Sequence, residues 1–483
     1  MITIKHTAEK LFLYDPVNGI SMTYRDLFTR ASVIKTQIEN KSWSNRTCLL
    51  ILKDYHHYMP VLIACWSAGI KPAVYSPNAK EVEYSSLIKE FGFEFLITDL
   101  DLVDKELSKF KISPIDGSFE VNSNIDVDLS FSPNDIGLLL FSSGTSGKQK
   151  CIPLSFDNLH INISAFAARL EFDSASTFLC GSPLWHAHGL YNSFLTAFFL
   201  DATVIYSGPF SPLNIGKLFD ALNANARIVF HITPSMLPIL LMYSKKKKGI
   251  SLPGFHRVIS GTSFLDVNKK RDFEETYNIP VFQQYGMTET LFMTINDRFS
   301  KEKPNSVGSV IDDVTLEVVQ NGIAKERFQE GSIRVRSGSC FGSYFGDSPF
   351  NESFKDGYFY TGDIGYLDDD NYLFITGREK DLIKKGGFSI AANTISELIT
   401  NYCEVDEAYT IGVNDPVSGE EIYSFYLTNT PTTETDIKRI LNGHLERHFI
   451  PKRIFKLNEF PKTDTGKIVK SDIEKILITL LNE

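Results

Sequence analysis

The sequence lacks the features that mark several large classes of protein. Its cysteines are far apart and form no Cys-x-x-Cys pair, so we expect neither a disulfide framework nor the ligand spacing of a zinc site. This usage is typical of a reducing compartment, which makes the cytoplasm the expected location. The first residues show no charged segment followed by an apolar core, so no signal peptide is expected. The cysteines are Cys48, Cys65, Cys151, Cys180, Cys340 and Cys403.

Long apolar runs and an excess of positive charge are also missing. The longest apolar stretches, such as Val61 to Ile70, fall short of the roughly 20 residues that a membrane-spanning helix needs, so no membrane span is expected. The formal net charge of −10 argues against a protein that binds nucleic acid by neutralising phosphates. The one basic block, Lys245 to Lys248, is typical of a solvated loop or helix end.

The size and composition of the chain are those of a globular protein with more than one core. Its 483 residues are 43% hydrophobic and 22% charged, and this length exceeds what one core usually contains. Short apolar runs alternate with amphipathic stretches, as at Cys48 to Leu52 and Ile136 to Phe141, which predicts an α/β protein with largely buried strands.

Changes of pattern along the chain predict the domain organisation. We expect a large N-terminal domain of packed α/β subdomains over residues 1–380, with a small β subdomain at about 307–376, where short alternating strands are separated by turn residues. The chain becomes charged and helical after Gly377. A small α+β C-terminal domain is therefore expected over residues 381–483.

The first motif that points to chemistry lies directly after an apolar run and reads Phe-Ser-Ser-Gly-Thr-Ser-Gly-Lys-Gln-Lys, from Phe141 to Lys150. Its glycines permit a tight turn beside a polyphosphate, and its hydroxyls and lysines can donate to phosphate oxygens. It is not a Walker loop, because Ser142 and Gln149 occupy positions where that motif has Gly and Ser or Thr. Taken alone, the segment is also typical of a plain glycine-serine turn.

The second motif reads Phe-Gln-Gln-Tyr-Gly-Met-Thr-Glu-Thr and ends at Thr290. Tyr285 could stack on a base, Thr288 could bond a phosphate, and Glu289 could bind Mg²⁺ through its hard oxygen ligands. Taken alone, the motif is equally typical of a strand end followed by a helix that Thr288 caps.

Three further segments complete the set of motifs. Tyr-Phe-Tyr-Thr-Gly-Asp contains Asp363, a suitable bidentate partner for ribose hydroxyls, and Gly-Arg-Glu-Lys-Asp contains Arg378, which can reach a sugar or a phosphate. Near the end of the chain, Lys-Thr-Asp-Thr-Gly-Lys places Lys467 on a glycine-containing loop, which could carry it into a site and out again. A plain surface turn is the alternative for this last segment.

In this order, the five segments resemble the superfamily of adenylate-forming enzymes, which contains acyl-CoA synthetases, peptide-synthetase adenylation domains and luciferases. The resemblance runs from Met22-Thr-Tyr-Arg-Asp-Leu27 to Lys467, and it is closest to the short stand-alone acyl-CoA synthetases. It implies ATP-dependent activation of a carboxylic acid to an acyl-adenylate, with release of pyrophosphate and with Mg²⁺ as cofactor. The acyl group would then pass to a thiol, with coenzyme A the expected acceptor.

Two alternatives remain open. One is an acyl-AMP ligase that loads the phosphopantetheine arm of an acyl or peptidyl carrier protein. The other is a pseudoenzyme scaffold that binds nucleotide without turnover. The first gains weight because Ile390 to Ser396 reads Ile-Ala-Ala-Asn-Thr-Ile-Ser, where the family commonly has Ile-x-Pro-x-Glu-Ile-Glu beside the thiol channel.

The resemblance also implies a role for individual residues. The ATP phosphate loop would comprise Ser142, Ser143, Gly144, Thr145, Ser146, Gly147, Lys148 and Lys150. Adenine and ribose would be bound by Gly261, Thr262, Ser263, Gln284, Tyr285, Gly286, Met287, Asp363 and Arg378. The catalytic residues would be Lys467, Thr288, Glu289 and His186, with Glu289 and Thr145 at the metal. The remaining implied positions are Asp381 as the hinge of a mobile C-terminal domain, Lys385, Gly386 and Gly387 at the thiol channel, and His186, His188 and Gly189 at the acyl pocket.

The segment Ser-Pro-Leu-Trp-His-Ala-His-Gly, which ends at Gly189, bears on the identity of the acid. Members of the family that activate amino acids usually have Asp at the position of His186, so an α-amino acid is not expected. Members that bind malonate commonly place arginine at the position of Gln284, so a second carboxylate would lack its bidentate partner. We expect a monocarboxylic acid, aryl or short to medium aliphatic. A structural role for His186 and His188 remains open.

Substitution of Lys467 tests the two-step mechanism that the resemblance implies. Lys467→Ala should slow adenylation by roughly 10²–10³-fold, the scale of losing one preorganised charge-stabilising donor. Transfer from preformed acyl-AMP should remain nearly intact, because the lysine would have left the site by then. Single-turnover assays of each step measure both rates, and an equal loss in the two steps would contradict the mechanism.

Overall fold

The structure is a computed structural model that describes residues 1–43, 46–108, 111–112, 125–143, 149–220, 222, 227–246, 254–346, 353–463, 466 and 468–482. The chain divides into two compact units. The first comprises residues 1–315 and 336–352, and the second comprises residues 316–335 and 353–483.

The strands of the first unit are short and mostly buried. They are β1 (Ile2–Ile4), β2 (Leu11–Asp15), β3 (Ile20–Thr23), β4 (Thr47–Ile51), β5 (Lys71–Val74), β6 (Phe95–Thr98), β7 (Lys111–Ile112), β8 (Leu129–Phe131), β9 (Ile136–Ser143), β10 (Gln149–Ser155), β11 (Ser176–Cys180), β12 (Thr203–Ile205), β13 (Arg227–Ile232), β14 (Phe255–Ser260), β15 (Val281–Met287), β16 (Leu291–Asn296) and β17 (Ser309–Val310).

The helices of the first unit connect these strands. They are α1 (Tyr24–Asn40), α2 (Tyr58–Ser67), α3 (Glu81–Phe91), α4 (Lys105–Ser108), α5 (Phe156–Leu170), α6 (Ala187–Gly189), α7 (Thr196–Phe199), α8 (Ile215–Asp220), α9 (Met236–Lys246) and α10 (Val267–Tyr277), with a π-helical segment at Leu190–Leu195. Capping boxes fix where two of them begin. Thr23 and Asp26 cap α1, and Ser155 and Asn158 cap α5.

A six-stranded sheet in the order β10-β9-β5-β4-β6-β7 forms one layer of the first unit. Its central strands are parallel and apolar on both faces, as expected for strands covered by helices on both sides. The edge pair β9 and β10 is antiparallel and flanks the glycine-serine motif, so the sheet positions both ends of that motif.

A nine-stranded sheet in the order β17-β16-β15-β14-β13-β11-β12-β2-β3 forms the other layer of the first unit. Strands β11 to β15 run parallel, and β16 turns back as an antiparallel hairpin. One face is an apolar core built with α8, α9 and α10, to which Phe230 and Ile232 of β13 and Val258 of β14 contribute. Because side chains alternate along a strand, His231 and Ile259 point to the opposite face.

The second unit contains two sheets. Strands β18 (Thr315–Gln320), β19 (Ile323–Ala324), β20 (Gly331–Arg336), β21 (Phe354–Lys355), β22 (Tyr358–Leu367) and β23 (Leu373–Arg378) form one sheet. Strands β24 (Leu382–Lys385), β25 (Phe388–Ala391), β26 (Glu407–Asp415), β27 (Gly419–Leu427) and β28 (Arg453–Lys456) form the other. The helices are α11 (Ala392–Tyr402), α12 (Glu434–Leu441) and α13 (Lys470–Asn482).

Two apolar clusters stabilise the sheet of β24 to β28. One cluster contains Ile395 of α11 and Ile437 of α12, and the other contains Ile473 of α13. The helices α11 and α12 therefore share one apolar core with the sheet, and α13 packs in a separate one.

The α/β class expected from the sequence is confirmed. The apolar runs at Cys48 to Leu52 and Ile136 to Phe141 are strands β4 and β9. The sheet of β18 to β23 spans residues 315–378, while the expected domain bounds of 1–380 and 381–483, with a β subdomain at about 307–376, stay predictions. In the part of the chain that the structure describes, every helix is too short or too polar to cross a bilayer.

Candidate functional site

The hairpin of β9 and β10 fixes both ends of the predicted phosphate loop. Ser142 on β9 lies opposite Lys150 on β10 in the antiparallel register. The two residues therefore stand on neighbouring strands, one before the loop and one after it. The predicted loop residues Gly144, Thr145, Ser146, Gly147 and Lys148, and the side chain of Ser143, lie outside the described residues.

A second turn, between β15 and β16, carries Glu289. The amide of Met287 donates to Thr290 Oγ1 at 3.2 Å, which closes the turn around Thr288 and Glu289. Gly286 is required at the start of this turn, because a Cβ there would lie 2.1 Å from the carbonyl oxygen of Leu291. The motif is therefore a hairpin turn, and the alternative of a helix capped by Thr288 is wrong.

The carboxylate of Glu289 lies where the two turns meet. Its Oε1 accepts a hydrogen bond from Tyr344 Oη at 3.1 Å and a long one from Ser142 Oγ at 3.5 Å. Lys150 Nζ lies 3.4 Å from Tyr344 Oη and 5.0 Å from the centre of its ring. Glu289 and Tyr344 are each only 4% exposed. The phenol of Tyr344 thus connects the end of the glycine-serine motif, at Lys150, with Glu289 of the second motif.

Burial and the neighbouring Glu289 carboxylate raise the pKa of Tyr344 well above its ordinary value. The phenol therefore keeps its proton at any working pH and donates to the carboxylate. An orienting donor of this kind reduces the cost of burying an ionised carboxylate, because a buried charge needs hydrogen bonds.

The predicted adenine segment follows the end of β14, beside β15. The amide group of Gln284 lies over Gly261, where a Cβ would come within 2.7 Å of Gln284 Nε2. Thr262 has a φ of 76°, and Ser263 is exposed. Among the described residues, neither Thr262 Oγ1 nor Gln284 Oε1 has a hydrogen-bond partner, although both atoms are buried. Tyr285 is buried at the same edge.

The predicted acyl-pocket segment forms a tight turn into α6. His188 is buried, and its Nδ1 lies 2.7 Å from Ser182 Oγ, which fixes the ring. Gly189 allows the turn to close, since a Cβ there would lie 2.3 Å from the carbonyl oxygen of Pro183. His186 precedes α6 and is half-buried.

The second unit brings the two predicted ribose-binding residues together. Asp363 of β22 lies opposite Arg378 of β23, and Arg378 Nε donates to Asp363 Oδ1 at 2.7 Å. Asp363 is buried, while the side chain of Arg378 is 46% exposed and can reach outward.

The predicted hinge and thiol-channel residues follow in the same unit. Asp381 ends a short 3₁₀ turn between β23 and β24. Gly386 and Gly387 have φ values of 61° and 87° at the β24–β25 turn, and a Cβ at either position would meet no atom within 4 Å. Lys385 forms an ion pair with Glu421. The predicted catalytic Lys467 lies outside the described residues.

The described residues contain no cluster of three or more His, Cys, Asp or Glu side chains that could bind a metal by themselves. Mg²⁺ in nucleotide sites commonly takes one or two carboxylates and completes its shell with phosphates and water. Glu289 fits that pattern, since it supplies one oriented carboxylate. The second predicted ligand, Thr145, is not among the described residues.

Tyr344 is the residue that sequence reasoning missed. It lies 55 residues after Glu289 and 194 residues after Lys150, in a stretch of serines, glycines and aromatics without periodicity. The nearest sequence signal is an isolated tyrosine in that stretch, and only the fold places it between the two motifs.

Comparison with known families covers both ends of the chain. Residues 3–345 match the family model described as AMP-binding enzyme. Residues 395–467 match the model described as AMP-binding enzyme C-terminal domain.

Individual relatives are distant but cover nearly the whole chain. The 2-succinylbenzoate--CoA ligase of Staphylococcus epidermidis is 26% identical over 463 residues, which are 95% of this chain and 93% of the relative. That of Bacillus subtilis is 24% identical over 467 residues, which are 94% of this chain and 93% of the relative.

Solved structures show the same fold. ATP-bound MatB from Rhodopseudomonas palustris superposes with a TM-score of 0.86 at 23% identity, over 97% of this chain and 96% of that one. The o-succinylbenzoate CoA synthetase (MenE) from Bacillus subtilis, in complex with the acyl-adenylate intermediate OSB-AMP, superposes with a TM-score of 0.85 at 22% identity, over 98% and 99%.

Removal of one hydroxyl tests the role of the phenol. Tyr344→Phe should raise the Mg²⁺ concentration needed for half-maximal ATP–pyrophosphate exchange by about tenfold, the scale of one hydrogen bond to a charged group. The reason is that Glu289 would lose its oriented donor. A magnesium titration at saturating ATP measures the shift.

Tyr75→Phe provides the matched control for Tyr344→Phe. The Tyr75 hydroxyl also bonds a β10 side chain, that of Gln149, at 3.3 Å, and a carboxylate, that of Glu83, at 3.4 Å, but it does not contact Glu289. This variant should leave the magnesium titration unchanged. Equal shifts in the two variants would remove Tyr344 from the metal site.

Proposed function

The chain belongs to the AMP-binding enzyme family, and we propose on that premise how its residues perform the reaction. It is an AMP-forming acid–thiol ligase. ATP activates a carboxylic acid as an acyl-adenylate with release of pyrophosphate. The acyl group then passes to coenzyme A, which gives a thioester and AMP.

This proposal rests on one cluster of side chains. In it Tyr344 contacts both Glu289 and Lys150, and Ser142 contacts Glu289. A carboxylate is a poor nucleophile toward a polyanion, so the site must screen the two negative partners and fix their geometry. In our assignment Glu289 binds Mg²⁺, which neutralises phosphate charge when bound. Lys150 and the loop from Ser142 to Lys148 would bind the phosphates of ATP.

The nucleoside is assigned to the residues that the family resemblance implies for it. Tyr285 and the segment from Gly261 to Ser263 bind the adenine, which is supported by the buried Thr262 hydroxyl, because it has no hydrogen-bond partner among the described residues. Asp363 accepts from the ribose hydroxyls, with Arg378 beside it. Lys467 approaches the carboxylate and the α-phosphate during adenylation.

We further assign a monocarboxylic acid as the substrate. The two relatives from Staphylococcus epidermidis and Bacillus subtilis act, by their names, on 2-succinylbenzoate, which has two carboxylates. A second carboxylate is best bound by an arginine or lysine, and here the neutral Gln284 lies over Gly261. All six cysteines are unpaired, which agrees with a reaction in the reducing cytoplasm.

Two assays on the purified chain test the proposal. ATP–pyrophosphate exchange with Mg²⁺ and a panel of carboxylic acids should report adenylation, and release of AMP should then require coenzyme A. Exchange without coenzyme A-dependent AMP release would favour a carrier-protein thiol as acceptor. If no acid supported exchange, the enzymatic assignment would fail and the scaffold alternative would remain.

A proline at the hinge tests the use of one site for two reactions. Asp381→Pro fixes φ at this position and restricts Lys380, so the C-terminal domain should be confined to one arrangement. We expect one half-reaction to fall by at least about tenfold, or about 1.4 kcal/mol of activation free energy, with the other nearly unchanged.

Single-turnover assays of each step give the two rates, and Asp381→Ala is the matched control because it removes the carboxylate but keeps the backbone free. The alanine variant should retain both steps. Unchanged turnover in Asp381→Pro would exclude Asp381 as the pivot.

A further inference from the structure

The segment from Ser337 to Phe345, here called the strap, carries Tyr344 to its place beside Glu289. The strap follows β20 and forms neither a strand nor a helix, so the hydrogen bonds of a regular element do not hold it. Its position matters, because Tyr344 contacts both Glu289 and Lys150. The contacts that hold the strap therefore also decide where the phenol lies.

The far end of the strap binds both sides of the candidate site through its backbone. The amide of Phe341 donates to the carbonyl oxygen of Glu289 at 3.0 Å. The amide of Phe345 donates to the carbonyl oxygen of Cys151, on β10, at 2.8 Å. The ring of Phe341 lies 4.7 Å from that of Tyr344. A displacement of the strap would therefore move Tyr344 relative to the carboxylate that it orients.

Asn158 of α5 binds the near end of the strap. Its Nδ2 donates to the carbonyl oxygen of Gly338 at 2.8 Å and to that of Cys340 at 3.0 Å. The two hydrogens of one amide group suffice for both bonds. The strap packs closely here, since a Cβ at Gly338 would lie 3.0 Å from Cδ1 of Ile161 on the same helix. One side chain thus holds two backbone carbonyls of the strap.

Asn162, one turn further along α5, holds the strap from a buried position. It is 1% exposed, and its Nδ2 donates to Ser339 Oγ at 3.0 Å and to the carbonyl oxygen of Phe292, on β16, at 2.9 Å. Its Oδ1 accepts from the Phe292 amide at 3.0 Å and from Tyr191 Oη at 2.7 Å. Every donor and acceptor of this amide is satisfied. Asn162 therefore connects the strap to the strand that follows the turn of Glu289.

Asp313 adds a third contact at the near end. Its Oδ2 accepts from Ser337 Oγ and from the amide of Gly338, each at 2.8 Å. Asp313 is exposed, so water can replace these bonds at small cost. The two asparagines of α5 are therefore the firmer anchors.

We propose that Asn158 and Asn162 are positioning residues for magnesium binding, because they hold the strap and the strap holds Tyr344 against Glu289. The inference rests on the proposed function, in which Glu289 binds Mg²⁺. Hydrogen bonds weaken steeply with distance and angle, so a shift of the strap by about 1 Å would deprive Glu289 of its oriented donor. The asparagines act through the strap and are not catalytic residues.

Asn158→Asp releases the strap while it preserves the helix. Asn158 Oδ1 accepts from the amide of Ser155 at 2.9 Å in the capping box of α5. An aspartate keeps this acceptor and is favourable in the first turn of a helix. Its carboxylate cannot donate to the strap carbonyls and repels them. The variant should therefore fold with α5 intact and lose the hold on Gly338 and Cys340.

Nucleotide binding without turnover measures the effect. Calorimetry gives the dissociation constant of an ATP analogue with a methylene bridge between the α- and β-phosphorus, once with Mg²⁺ and once with a chelator. The ratio of the two constants is the factor by which the metal tightens binding. Asn158→Asp should lower this factor by about three- to tenfold, at most the scale of one hydrogen bond to a charged group, and leave the metal-free constant within about twofold.

The same measurement in Tyr344→Phe tests the route. Residues that act through one another are not additive, so Asn158→Asp should lower the magnesium factor little further once the phenol hydroxyl is gone. Additive losses in the double variant would contradict a route through Tyr344. Asn268→Asp controls for the added charge, because Asn268 is an exposed residue in the first turn of α10 that bonds Arg271 of its own helix.

Asn162→Ala gives the second test, and Asn296→Ala is its matched control. Asn296 is also a buried asparagine, on β16, and its Nδ2 donates to the carbonyl oxygens of Lys303, at 2.8 Å, and Ser306, at 3.0 Å, both outside the strap. Asn162→Ala should lower the magnesium factor at least as much as Asn158→Asp, and Asn296→Ala should leave it unchanged. If Asn162→Ala does not fold, Asn158→Asp decides alone.

The outcomes separate this inference from the proposed function. If the unmodified enzyme catalyses exchange and Asn158→Asp keeps its full magnesium factor, the positioning role is overturned and the ligase assignment stands. Equal losses with and without Mg²⁺ have the same consequence, because they would indicate general damage to the nucleotide site. Absence of exchange with every acid overturns the ligase assignment itself.

Discussion

The hydrogen bond from Tyr344 to the buried carboxylate of Glu289 is the interaction on which the candidate site depends. It lies between the six-stranded and the nine-stranded sheet of the first unit, at the point where the ends of β9 and β10 meet the β15–β16 turn. Lys150 lies against the same phenol, with its Nζ 3.4 Å from Tyr344 Oη. The arrangement keeps the carboxylate oriented and places an ammonium beside it, so that both charges are in position before an anion arrives.

Much of the fold could be predicted from local pattern, but the assembly of the site could not. The apolar runs of β4 and β9 were enough to predict the α/β class, and the order of the motifs was enough to name Glu289 as a candidate site residue. Non-local pairings were not visible, such as that of Leu13 in β2 with Val204 in β12. Tyr344 was missed for the same reason.

The segment from Ile390 to Ser396 shows how this chain accommodates its departures from the family pattern. The helix α11 begins at Ala392 without a side-chain cap, where a proline would have fixed the backbone. Asn393 donates to Glu397 one turn later. Burial raises the pKa of Glu397 to about 7, against the smaller effect of that hydrogen bond. The segment thus keeps its helix through different contacts.

The polar side chains of the first unit form two environments of different charge. Around Glu289 the site combines a carboxylate with a lysine and hydroxyls, which suits a metal-bound polyphosphate. Around His231 of β13 the neighbouring rings are those of Phe166, Phe292 and His188, and burial lowers the pKa of the imidazole well below its ordinary value. A charged group placed beside that ring would bear its desolvation cost without an opposite charge, whereas a polyphosphate beside Lys150 would not.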